Sequence, residues 1–417
     1  MLKSAVWKIC SALLVAWCLS CSGNSPHGDP STAQITPPGN GPVTAGSPAL
    51  VARYLADLKG LMAANQGAIE TEVGTGDVGV YYGTSYYLMG LAAAAEGTGD
   101  TEVMAALTGY IDQMLAKSQP VVRDGHSYME FFPLDSTGLP QTLDSFQATG
   151  PLAWTAAIIR THPEFSTQFA DAATRIEAFV DESVFQFWFD KVNGFYSDPD
   201  GPWQGGIVPW LPTDLGGWGT YPVWSDKASH LGMIATWMYQ ATGKTLYLEY
   251  AQRIARGFRR HVTLDGRCWI WDQGTVPTAP GQNEDGSPDT SHANREPAMV
   301  AAMYEAGIEF TLTDIQGLVA TLLQRIWNQD ASDPAFTNYI DGGNAEFQAA
   351  SPWANGIIYH GWVMIGRYSS EALNAFATAF ALIQTQPPDY LNPSLRSNSS
   401  AYGRIELAGA LARDQGN

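Results

Sequence analysis

Connections between helix-periodic segments alternate strictly between short and long in this chain, and that rhythm limits what it can fold into. Apolar residues recur at helical spacing in twelve segments, at about 48–65, 84–95, 101–117, 146–161, 165–187, 226–241, 245–261, 290–306, 312–328, 353–366, 371–386 and 400–412. The turns Glu96-Gly97-Thr98-Gly99-Asp100 and Thr242-Gly243-Lys244 join the second segment to the third and the sixth to the seventh. The joins at about 118–145, 188–225, 262–289 and 329–352 are long. Antiparallel hairpins connected this way collect their long loops at one end. That end is where function is expected. With 45% hydrophobic and 12% aromatic residues and no interior linker, the chain supports one large helical core.

The hairpins share a pattern. In Ser85-Tyr86-Tyr87-Leu88 and Ser229-His230-Leu231-Gly232 a glycine, Gly99 or Gly243, follows the serine by fourteen positions. Segments 84–95, 226–241 and 290–306 are apolar almost all round, as helices packed on both sides must be. Their partners, such as 245–261 (TLYLEYAQRIARGFRRH), carry one apolar stripe and one charged face. The twelve sort into six inner and six outer helices in alternation, with roughly sixty residues per pair. This all-α pattern resembles the (α/α)6 toroid of the six-hairpin glycosidase superfamily across nearly the whole chain, from 49 to 417. No motif selects a family within it. An open helical solenoid is the structural alternative, with shorter and more uniform repeats.

The N-terminus reads differently. Lys3 and Lys8 precede an apolar stretch, Ile9 to Leu19, too short to span a membrane and fitting a secretory signal of residues 1–20. Cys18-Leu19-Ser20-Cys21 resembles a bacterial lipobox, which implies lipidation at Cys21 and, with Ser22 following, an outer-membrane or cell-surface destination. Ordinary secretion with nearby cleavage is the alternative. Residues 21–48 are rich in Pro, Gly, Ser and Thr and are expected to form a flexible tether. Of the four cysteines only Cys268 then remains in the toroid, where a packed thiol is expected. Without Lys3 and Lys8 the 22 basic residues fall to 20 against 41 acidic, a net charge of −21. Such a field disfavours nucleic acid, and membrane contact is expected only through the lipid. A monomer is expected.

A toroid would bring the starts of the inner helices around one opening. Those positions hold Tyr81, Tyr82, Ser85 and Tyr86, then Asp144 and Gln147, then Asp226, Lys227, Ser229 and His230. They continue with Asp289, Ser291, His292, Arg295 and Glu296, and finally Trp353, Asn355, Tyr359 and His360. In projection His230, His292 and His360 face one another. Asp289 and Glu296 flank His292, and Asp226 precedes His230 by one turn, a spacing that lets a carboxylate fix an imidazole tautomer for acid/base work. Two carboxylates across a cleft suit a glycosidase equally well. Capping alone also explains Asp226 and Asp289, which sit where helix N-caps belong, and His292 has a packed, non-catalytic reading.

Aromatic residues supply a separate signal. Trp203, Trp210, Trp218, Trp224, Trp269, Trp271 and Trp353 fall in or beside long loops, several alternating with Gly and Pro, as sugar-stacking platforms do. Burial as lids is the alternative for each. No Gly-rich phosphate loop, G-x-S-x-G elbow, paired-cysteine motif or Asp-rich diphosphate motif is present, and no cofactor is expected. No local spacing singles out a metal site, so none is assigned.

The resemblance implies a carbohydrate-active enzyme, with glycoside hydrolysis of an oligo- or polysaccharide first. Asp289 or Glu296 would then be acid or base, with Asp226 its partner. A polysaccharide lyase or uronate epimerase would use His292 or His230 as base, Tyr359 or Tyr86 as acid, and Arg295 or Lys227 to neutralise a carboxylate. Tyr86, Trp218, Trp224, Arg295, Trp353, Tyr359 and His360 are the expected substrate-binding residues. A non-catalytic glycan-binding lipoprotein is the reading from another class.

Overall fold

The computed structural model describes residues 47–123, 125–132, 142–189, 195–198, 206–209, 225–272, 287–344 and 356–416. All belong to the unit Pro37–Asn417. Residues 1–46, which hold the expected signal and nearly all of the expected tether, Cys21 included, lie outside the described residues, and Pro48 already opens the first helix.

Twelve principal helices follow in order: α1 Pro48–Val73, α2 Val78–Thr98, α3 Thr101–Leu115, α4 Thr142–Thr161, α5 Ala170–Val180 and α6 Ser225–Thr242. The second half comprises α7 Thr245–Arg259, α8 Arg295–Glu305, α9 Leu312–Thr321, α10 His360–Met364, α11 Ser370–Thr385 and α12 Ala401–Gly416. Local chemistry sets many boundaries. Asp77 caps α2 by accepting from Gly79 N at 2.8 Å and Val80 N at 3.3 Å. Gly99 ends it with φ +67°, a left-handed conformation glycine adopts without strain, and Asp100 caps α3 at once. A capping box between Thr311 and Asp314 opens α9.

The even-numbered helices form a closed ring. α2 packs on α4, α4 on α6, α6 on α8, α8 on α10 and α10 on α12, and α12 returns to pack extensively on α2. The odd-numbered helices lie outside. α7 shows why: Ile254, Ala255 and Phe258 are buried on one face while Arg253, Arg256 and Arg259 line another. This is the (α/α)6 toroid, and return contact from last inner helix to first excludes an open solenoid. Glycine makes the seam close. A Cβ built on Gly90 of α2 would lie 2.6 Å from the Ile405 carbonyl oxygen of α12.

Three differences from the expected helices stand out. Three of the four long joins carry two-stranded antiparallel ribbons among the described residues: β1 Gln119–Arg123 with β2 His126–Glu130, β3 Phe195–Asp198 with β4 Gly206–Pro209, and β5 Val262–Asp265 with β6 Cys268–Trp271. α8 starts at Arg295 rather than 290, because residues 289–294 form a capped turn instead. α10 is only five residues long. Trp271 and Trp269 in β6 are core rather than cleft: Trp271 stacks on Trp362 at 6.1 Å, and Trp269 packs against Phe258 and Phe310. Cys268 is a buried thiol, as expected, and burial raises its pKa. Among the described residues no helix is long and apolar enough to cross a membrane.

The C-terminal ends of the inner helices are closed by buried charge. Arg413 of α12 pairs with Glu96 of α2, Glu305 of α8 and Asp414, and lies over the Trp154 ring of α4. Trp154 stacks on Trp237 of α6 at 5.2 Å. The N-terminal ends, fed by the long joins, hold the polar site.

Candidate active site

Asp289 organises the turn before α8. Its Oδ1 accepts from Ser291 N at 2.9 Å, His292 N at 3.0 Å and Ser291 Oγ at 2.5 Å. Its Oδ2 engages His292 Nδ1 at 2.5 Å. Capping and imidazole orientation are therefore shared between two oxygens of one carboxylate. Burial acts to raise the Asp289 pKa, but His292, then Ser291 and the turn amides, outweigh it and hold the carboxyl below its ordinary value. The His292 side chain is 29% exposed against 3% for Asp289, so the imidazole is the member a ligand can reach. A backbone bond and an indole fix the turn from behind, with Thr290 N donating to Asn338 O at 2.8 Å and the Trp362 side-chain Nε1 to Thr290 O at 2.9 Å.

At the first residue of α8, the buried Arg295 reaches across the ring. Its Nε donates to His230 Nε2 of α6 at 2.6 Å. Its Nη2 donates to Tyr82 Oη of α2 at 2.8 Å and to Gln147 Oε1 of α4 at 3.4 Å. Its Nη1 donates back to the His292 carbonyl at 3.2 Å. Gln147 Nε2 in turn donates to Ser85 Oγ at 2.7 Å. On the far side, His360 of α10 engages Glu406 of α12 through both its backbone N and its Nδ1, each at 2.8 Å. Each of the six inner helices thus contributes at least one residue to a buried polar belt: Ser85, Gln147, His230, Arg295, His360 and Glu406.

Electrostatics follow from that burial. The His230 pKa is driven well below the ordinary histidine value by desolvation, then by Arg295 and His360, so the ring is neutral. Desolvation raises the Glu406 pKa although His360 opposes it. Tyr86 and Tyr359 stack at 4.4 Å beside the belt, with desolvation raising both phenol pKa values. At the first turn of α4, the half-buried Asp144 is raised by burial, which outweighs Lys227 and is reinforced by Asp77. Among the described residues no three metal-ligating side chains converge.

The expected residues sort into three groups. Asp289 with His292, Arg295 with His230, and Tyr86 with Tyr359 are brought together at the predicted end. Glu296 is buried in the first turn of α8, and His230 and His360 lie buried beneath the rim rather than on it. Trp218, Trp224, Trp353 and the Asp226 side chain lie outside the described residues. Glu406 is the participant that sequence reasoning missed. The signal for it was a lone acid inside the otherwise apolar run Ile405-Glu406-Leu407-Ala408.

No family model and no curated protein matches the chain. Among solved structures it is similar to a family 76 glycoside hydrolase (mannosidase) from Bacteroides thetaiotaomicron VPI-5482, at 12% identity and TM-score 0.49, over 80% of this chain and 86% of that one. It is similar to a polysaccharide lyase at 12% identity and TM-score 0.49, over 87% and 97% of the two chains. A family 105 glycoside hydrolase from C. acetobutylicum ATCC 824 gives 13% identity and TM-score 0.47, over 85% and 97%. Likenesses of this strength leave the toroid to rest on its own ring of helix contacts.

Proposed function

We propose that this chain is a carbohydrate-active enzyme that hydrolyses a glycosidic bond in an oligo- or polysaccharide entering at the N-terminal ends of the inner helices. The observation supporting it is a pair of carboxyl groups at two inner-helix starts whose surroundings push them in opposite directions. Asp144 is shifted toward the protonated form and Asp289 toward the ionised form. Groups driven apart in this way divide into proton donor and base. In this reading Asp144 protonates the leaving oxygen, and Asp289 acts through His292 to orient and deprotonate the attacking water.

A second reading has its own support. The Asp289–His292 pair beside the Tyr86–Tyr359 stack also suits abstraction of a proton next to a carboxylate, as in a lyase or epimerase. The purified protein incubated with a polysaccharide panel separates these readings. New reducing ends without absorbance near 235 nm, an approximate wavelength for unsaturated uronates, support hydrolysis. Both signals together support elimination, and solvent-deuterium exchange reveals epimerisation. Binding without turnover throughout the panel would favour a glycan-binding protein and remove the enzymatic proposal. Full activity in both Asp289→Ala and His292→Ala would move the site elsewhere. Cys21 is proposed as a lipid anchor at the outer membrane or cell surface, supported by the lipobox-like run. Labelled palmitate should be incorporated by the wild type and not by Cys21→Ala.

A further inference from the structure

We infer that Arg295 is a positioning residue rather than a clamp on an anionic substrate, and that His230 serves it only as a hydrogen-bond acceptor. As it concerns catalysis, this inference rests on the proposed enzymatic reading. Arg295 is 1% exposed, and its guanidinium spans three other inner helices through His230, Gln147 and Tyr82. The same group holds the His292 carbonyl at 3.2 Å, within the turn where Asp289 orients the imidazole. Its contacts therefore set where His292 stands relative to Tyr82 across the ring.

The tautomer of His230 follows from donor chemistry. A guanidinium carries only donors, so a 2.6 Å contact from Arg295 Nε requires a lone pair on His230 Nε2. The ring proton of neutral His230 then resides on Nδ1. An imidazole held in this way, 0% exposed and with its basic nitrogen occupied, does not exchange protons with a substrate. It is a buried acceptor for a buried charge. Arg295 is thus assigned neither substrate contact nor proton transfer; it determines geometry.

Two measurements on the full chain test this. Imidazole ¹⁵N spectra, assigned with His230→Gln, should show His230 protonated at Nδ1 and not titrating as a neutral ring around pH 6 to 8. A ring protonated at Nε2, or one titrating near the ordinary value of about 6.5, would overturn the inference. This arm needs no substrate, so it stands even if the enzymatic reading fails.

On a substrate identified from the panel, Arg295→Lys should lower kcat on the order of 100-fold, the usual cost of a misplacement of about 1 Å. KM should change less than about two-fold, because no substrate contact is lost. A rise in KM with kcat unchanged would mark Arg295 as a substrate ligand and refute the assignment. If Arg295→Lys does not fold, His230 decides. His230→Gln offers an amide oxygen to the guanidinium and should retain most activity, whereas His230→Leu should lose it. Equal loss in both would show that imidazole proton chemistry is required and would overturn the proposal.

Discussion

Replacing Gly90 by Ala perturbs the ring where its first and last inner helices meet. The added Cβ would stand 2.6 Å from the Ile405 carbonyl oxygen and 2.8 Å from both N and Cα of Glu406. Ordinary contact begins near 3.4 Å, so the helices must separate by roughly 0.8 Å. The obstructing atoms are backbone, so no side-chain rotation relieves the clash. Overpacking of this kind costs about 1–3 kcal/mol, against the ~0.5–1 kcal/mol by which Ala is favoured over Gly inside a helix. Where no rotamer can relax, the upper part of the range applies, and a net loss of about 1–2 kcal/mol is expected. Gly60 in α1 is the control: it is exposed and a Cβ there meets nothing within 4 Å. Gly60→Ala should therefore stabilise by up to about 1 kcal/mol. Urea unfolding followed by circular dichroism reads both signs. Equal stabilisation by the two substitutions would refute close backbone packing at the seam. Because Glu406 carries the bond to His360, Gly90→Ala should also weaken activity more than its loss of stability explains.

Activity should follow a bell-shaped pH profile. The acid limb marks loss of the proton acceptor at the Asp289–His292 pair, and the alkaline limb lies above the ordinary aspartate range, where Asp144 loses its proton. In kcat/KM measured against pH, a plateau unaltered by Asp144→Asn would contradict that assignment. At the opposite end, Asp414 is buried against Arg413, Arg367 and Glu305, with its pKa raised to about 7 by desolvation. Its folded-state value exceeds the unfolded one, so its stabilisation is complete below about pH 4 and is lost as pH rises to about 7. At 1.36 kcal/mol per pH unit this is on the order of 4 kcal/mol. The stability difference between wild type and Asp414→Asn should follow that slope, and a difference constant between pH 4 and 7 would contradict it. Arg413→Met leaves Glu96, Glu305 and Asp414 without their shared cation and should cost about 3–5 kcal/mol in urea unfolding at pH 7. A loss under about 1 kcal/mol would show that the cluster is dispensable.

Much of the architecture was legible because its signals are local. Gly99, Asp100 and Gly243 mark tight turns whatever surrounds them, and an all-apolar helix such as α2 can only be stable between two neighbours. The β ribbons were missed because strands of four or five residues carry too few alternations to stand out within long joins. Asp289 was legible as a cap and as an orienting carboxylate because both partners lie within three residues of it. Arg295 and His230, by contrast, are 65 residues apart, and Glu406 and His360 are 46 apart. No spacing rule connects such pairs. Sequence alone determined the alternating hairpins and the end of the toroid where polar groups gather, since hydrophobic periodicity and turn chemistry act over a few residues. Only the tertiary structure decided which polar groups meet, which are desolvated and which stay accessible, because burial and charge coupling depend on helices that become neighbours only when the ring closes.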